Sequence, residues 1–191
     1  MLSHTGSTFH SFSVMSASGT ILSPGSTGRD DPSGRGDPLG LGDSSLLTGS
    51  ALNRPPIYEE TVVLYNFSLK PGHSVEVEGF IPKDCERFSI NLGTDEKNLV
   101  IHFNPRFDYH GFKRIIVLNA MKDGVYGEEQ RETVFPFQDG SDTMVCFKYE
   151  QDKIIIQLPA GKHFSFPIRF PIEEISYLSV VELQLKSIIL K

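Results

Sequence analysis

Hydrogen-bonding side chains concentrate in one stretch, His102-Phe103-Asn104-Pro105-Arg106-Phe107. On an extended strand alternate residues share a face, so His102, Asn104 and Arg106 project together while Phe103 points into a core. A histidine, an amide and a guanidinium side by side make a donor-rich row on a solvated sheet. Asn119 ends the next apolar run, and Glu129 and Arg131 follow at spacing two. That spacing lets a carboxylate and a guanidinium hold each other in a fixed geometry. Tyr126 stands just before them, after an Asp123-Gly124 turn, where its ring can cover the row. A pyranose would suit this set, because its hydroxyls donate and accept while its C–H face stacks on an aromatic ring. On residue types alone the simpler reading is a solvated face with a surface ion pair worth little.

Catalysis fits these residues poorly. His102 has no nucleophilic Ser or Cys at motif spacing. Glu128 and Glu129 are adjacent and would point apart on a strand, so they make no acid–base pair, and no catalytic residue is assigned. The two cysteines, Cys85 and Cys146, lack CxxC spacing and cannot form a metal site without histidine help, so neither metal nor cofactor is expected.

The elements that must position this row are short and β-rich. Runs at Thr61–Phe67, Ser74–Phe80, Arg87–Leu92, Asn98–Phe103 and Lys113–Asn119 come first. Thr133–Phe137, Thr143–Tyr149, Lys153–Leu158, His163–Phe166 and Leu178–Leu190 follow. Period-two alternation is plain in Ser74-Val75-Glu76-Val77-Glu78 and Phe88-Ser89-Ile90-Asn91-Leu92. Turn signals recur at Pro71-Gly72, Gly93-Thr94-Asp95, Asp123-Gly124, Asp139-Gly140 and Pro159-Ala160-Gly161. Many short antiparallel strands mean an all-β sandwich of two sheets. The one helix-like stretch, Ile172–Tyr177, is too short for more than a turn.

Composition divides the chain. Of 191 residues, the first 56 contain 31 Gly, Ser, Pro or Thr and no Lys, Glu or Tyr. All six Tyr and twelve of fourteen Phe lie in 57–191, a segment large enough to bury a core alone. Residues 1–56 therefore read as a disordered extension, bounded by Pro55-Pro56, and 57–191 as one domain. Arg35-Gly36-Asp37 matches an integrin-binding tripeptide, which a Gly- and Asp-rich linker also produces by chance. The net charge of −6 carries no basic run, which argues against nucleic-acid or anionic-membrane partners. No apolar run approaches the roughly 20 residues that span a bilayer, and no signal peptide is visible. Free thiols and a cytoplasmic, soluble chain are the expectation.

Read together, His102-Phe103-Asn104-Pro105-Arg106, Val117-Leu118-Asn119 and Tyr126-Gly127-Glu128-Glu129-Gln130-Arg131 resemble the sugar-binding signature of the galectins. That signature runs H-x-N-P-R, V-x-N, W-G-x-E-x-R. The likeness extends from Asn66-Phe67-Ser68-Leu69-Lys70-Pro71-Gly72 through Phe135-Pro136-Phe137 to Phe164-Ser165-Phe166-Pro167 and covers essentially 57–191. It implies a jelly-roll of a five- and a six-stranded sheet that binds β-galactosides of glycoproteins or glycolipids without metal. By resemblance, His102, Asn104 and Arg106 meet the axial 4-hydroxyl and ring oxygen of galactose. Asn119 and Glu129 hold the 6-hydroxyl, while Arg106, Glu129 and Arg131 reach the 3-hydroxyl of the next sugar. His110 matches a loop histidine near the site.

One departure stands out. Galectins place tryptophan where this chain has Tyr126, and the chain contains no Trp. Tyrosine keeps a flat ring of smaller area, so sugar binding should be weakened or re-tuned. The competing function is a structural or protein-interaction relative with weak or lost sugar binding. The family also implies homodimers through the terminal strands, here Ile57–Tyr65 and Leu183–Lys191, and non-classical secretion to the extracellular space.

Overall fold

The computed structural model describes residues 10–12 and 60–191. Among them are thirteen strands, one short 3₁₀ turn at Pro159–Gly161 and no α-helix. The strands are β1 His10–Phe12, β2 Thr61–Leu69, β3 Ser74–Ile81, β4 Ser89–Asp95, β5 Asn98–Tyr109 and β6 Phe112–Lys122. They continue as β7 Val125–Tyr126, β8 Gln130–Glu132, β9 Ser141–Tyr149, β10 Lys153–Gln157, β11 His163–Pro167, β12 Ile175–Val181 and β13 Gln184–Leu190. One sheet runs β1-β13-β3-β9-β10-β11; the other runs β2-β12-β4-β5-β6-β7, with β8 also on β6. The two antiparallel sheets form the expected β-sandwich.

Alternation explains why they stack. In β3 every second residue from Val75 to Ile81 is buried, and β10 buries Ile154 and Ile156 in the same way. Between the layers, Phe88, Phe103, Phe137 and Phe147 meet at centroid distances of 5.3–6.4 Å, mostly edge to face. Aromatic pairs favour that geometry because the positive ring edge meets the negative face.

Four local expectations need correction. Thr133–Phe137 is not a strand: Pro136 lacks an N–H for a ladder, and Phe135 and Phe137 pack edge to face while Phe137 enters the core. Leu178–Leu190 is two strands in different sheets, broken at Glu182, whose φ of 58° turns the chain. Ile172–Tyr177 makes no helical turn, because Ile175 is fully buried as the first residue of β12. The sheets hold six and seven strands, the additions being β1 at the β13 edge and the division between β7 and β8.

At His10–Phe12 the structure also departs from an extension without regular structure. Those residues pair antiparallel with Ile188–Leu190, since an open sheet edge offers unpaired N–H and C=O groups. The rest of 1–56, including Arg35-Gly36-Asp37 and the Pro55-Pro56 boundary, lies outside the described residues.

Candidate functional site

The row forms on β5, where His102, Asn104 and Arg106 share one face and Ile101 and Phe103 are buried on the other. Register places Asn119 of β6 directly opposite His102. It also sets Arg131 of β8 beside Val117, which in turn pairs with Asn104. Asn104 is 3% exposed and used at both ends. Its Nδ2 donates to the Phe88 carbonyl at 2.8 Å, and its Oδ1 accepts from Arg106 Nε at 2.8 Å. The amide thereby fixes the guanidinium plane. Beneath that plane the Arg106 cation lies 5.4 Å from the Phe112 ring and 5.6 Å from Tyr109, within cation–π range.

The second half of the site comes from the chain between β6 and β8. Asp123 and Gly124 both take positive φ, 53° and 80°, so a two-residue hairpin returns β7 onto β6. Tyr126 then sits 49% exposed, its ring centroid 5.2 Å from that of His102. Glu129 follows, and one oxygen, Oε2, accepts from Arg131 Nε at 3.0 Å and Nη2 at 2.7 Å. Its other oxygen, Oε1, faces Arg106 Nη2 across 3.9 Å, too far for a direct hydrogen bond. All seven residues named for the row therefore meet in one place. His110 does not join them; it is exposed at the β5–β6 turn, against the Tyr109 ring at 4.1 Å.

Several partners in this place have no signature in the local sequence. Arg169, after β11, donates to the Glu128 carbonyl and to Asn119 Oδ1, the latter at 3.3 Å, with its cation 4.6 Å from the Phe166 ring. It ties the Tyr126–Glu129 loop to the end of β6. Gly127 makes room for it, since a Cβ there would lie 3.3 Å from Arg169 Nη1. Arg87 stacks 4.4 Å from Tyr109 and pairs with Glu182 at 3.1 Å. Asn91 Oδ1 stands 2.6 Å from His102 Nδ1.

Electrostatics keep the row's histidine neutral. Burial, with Arg106 and Arg87 nearby, pushes the His102 imidazole down to about 4 against the opposing pull of Glu129. Burial also raises the Tyr126 hydroxyl, partly offset by Arg87. Among the described residues no group of three or more His, Cys, Asp or Glu side chains is placed to hold a metal ion. Cys85 and Cys146 are free thiols. Burial pushes Cys85 up to about 11, so the unreactive thiol form dominates near neutrality. A concavity of about 1000 Å³ lies on the other sheet over Glu78, Met144, Ile155 and His163. It lacks the aligned amides and guanidiniums of the row, which occupies an open sheet face.

A donor-rich polar row with an aromatic ring at its margin, carried on a jelly-roll face, has the chemistry that a carbohydrate-binding protein needs. Residues 61–190 match the family model for galactoside-binding lectin, and the chain belongs to that family, the galectins. It is a β-galactoside-binding lectin, not an enzyme. Galectin-1 of Rhinella arenarum is 50% identical over 127 residues, which is 66% of this chain and 95% of that protein. A structure of a toad ovary galectin in complex with N-acetylgalactose shares 51% identity at a TM-score of 0.67, covering 68% of this chain and 97% of that one. CG-16, a homodimeric agglutinin from chicken liver, shares 37% at 0.67, covering 69% and 100%.

Proposed function

We propose that His102, Asn104, Arg106, Asn119, Tyr126, Glu129 and Arg131 together hold the terminal galactose of a β-galactoside such as lactose or N-acetyllactosamine. The observation that carries this reading is the 3.9 Å gap between Arg106 Nη2 and Glu129 Oε1. Each side of it is already oriented, Arg106 by Asn104 and Glu129 by Arg131. A sugar hydroxyl entering the gap accepts from the guanidinium and donates to the carboxylate. Asn104 and Asn119 each keep one amide N–H beyond their internal bonds, available to further sugar oxygens. Tyr126 covers the C–H face. The toad galectin's complex with N-acetylgalactose supports the reading by likeness. Calorimetric titration with lactose, with glucose and mannose as controls, tests it: heat with lactose alone is expected. No heat with any galactoside would hand the chain to the structural alternative.

Three further readings belong to the same proposal. The lectin domain begins near residue 57, so brief proteolysis should leave a resistant core starting close to Arg54–Tyr58. Two copies pair through the terminal strands, as the homodimeric CG-16 suggests by likeness; among the described residues β2 carries no strand on its outer edge, where Val63 and Tyr65 are exposed. The protein is cytoplasmic and reaches extracellular glycans by non-classical secretion. Free Cys85 and Cys146 support that origin, and finding both quantitatively disulfide-bonded in fresh protein would count against it.

A further inference from the structure

Four polar residues face one another across four strands: Ser179 on β12, Asn91 on β4, His102 on β5 and Asn119 on β6. Ser179 and Asn91 lie outside the sugar row. They are only 3% and 8% exposed, although their strand positions place them on the face away from the core. Polar groups so buried must be bonded, and these are bonded to each other, Asn91 Nδ2 donating to Ser179 Oγ at 2.9 Å. With its amide nitrogen committed to Ser179, Asn91 turns its carbonyl oxygen to His102 Nδ1 at 2.6 Å. An amide oxygen only accepts, so Nδ1 carries the ring proton and Nε2 keeps a lone pair. The charges facing the ring agree. Arg106 on β5 and Arg87 before β4 disfavour an imidazolium; Glu129 before β8 opposes them, and neutral Tyr126 of β7 stands beside the ring.

We propose that Asn91, held by Ser179, is a positioning residue that locks His102 as the Nδ1–H tautomer and so presents Nε2 to the sugar as an obligate acceptor. The inference rests on the galactoside reading of the row and adds a constraint to it. At this point the ligand must supply a hydroxyl that donates. Because the ring is held neutral, that acceptor survives mild acid and is lost only as the imidazole finally charges.

The test uses the full chain labelled with ¹⁵N. Long-range ¹H–¹⁵N spectra of the His102 ring, with and without lactose, should show a protonated Nδ1 and a bare Nε2 in both states. Lactose affinity from about pH 8 to about pH 4 should stay level for the native chain until the acid end of that range. Asn91→Asp places a carboxylate against Nδ1 and stabilises the imidazolium, so the acid loss of binding should move up by at least about one pH unit. Ser179→Ala releases the Asn91 amide, and its ring spectrum should show mixed tautomers with affinity down severalfold. An Nε2–H tautomer in the native protein would overturn the inference, since it requires the Asn91 amide reversed. So would an unshifted pH profile in a folded Asn91→Asp variant. If that variant fails to fold, the native ring spectrum still decides. A native chain with the Nδ1–H tautomer and no lactose binding would sink the galactoside reading alone.

Discussion

Replacing Arg106 by lysine keeps the charge and removes the planar fork, which is where the structure places the work of this residue. The Nε donor to Asn104 Oδ1, at 2.8 Å, has no counterpart on lysine once its single ammonium turns toward Glu129. The Arg106 side chain is 14% exposed, so solvent does little to replace the lost bond. Asn104 is 3% exposed, and its oxygen is left without a partner. An orphaned buried acceptor costs roughly 1–2 kcal/mol of folding stability, which for a domain of this size lowers Tm by about 3–6 °C. Binding suffers separately. A charge-assisted hydrogen bond to sugar contributes roughly 1.5–3 kcal/mol, so lactose affinity should fall by about 10- to 100-fold. Calorimetric titration and thermal melting of Arg106→Lys, alone and with saturating lactose, read both effects. A variant that binds lactose within about twofold of the native chain would refute the requirement for a two-armed donor. A lowered Tm with unchanged affinity would reduce Arg106 to a prop for Asn104.

Tyr126→Trp should tighten lactose binding by about fivefold and Tyr126→Ala should weaken it about tenfold, because the half-exposed ring acts by area; equal affinities in all three proteins, by calorimetry, would remove stacking from the site. Arg169→Gln should cost about tenfold in affinity, since the loop carrying Tyr126 and Glu129 loses its tie to Asn119. Hydrogen exchange on residues 125–129 should rise with it, and unchanged exchange would show that the loop is held by other means. Deleting residues 1–15 should strengthen self-association in sedimentation equilibrium, because β1 covers the edge of β13. Indistinguishable association of the two chains would mean that this edge is not where copies meet.

Local pattern and long-range register contribute differently to what can be read from this chain. The row at His102, Asn104 and Arg106 is legible because its residues are two apart on one strand, and strand period alone puts them on one face. Glu129 and Arg131 are legible for the same reason, and their short ion pair follows from that spacing. Asn91 and Ser179 are not. The alternation of Phe88-Ser89-Ile90-Asn91-Leu92 says that Asn91 points away from the core, where an asparagine on an open face needs no explanation. Only the pairing of β4 with both β5 and β12 brings His102 from eleven residues away and Ser179 from eighty-eight. Those contacts depend on which strands become neighbours, a choice made by the burial of Ile90, Leu92, Phe103 and Val180 on the opposite face. Arg169 reaches Asn119 across fifty residues by the same logic. The missed break at Glu182 has a different cause. A non-glycine residue at φ 58° carries no propensity signal, and its conformation is set by the need to pass from one sheet to the other. The proposed sugar contacts therefore fall on the part of the site that period two can encode. The contacts that orient them, from Asn91 to His102 and from Arg169 to the Tyr126–Glu129 loop, are encoded only in the apolar residues that set the register beneath.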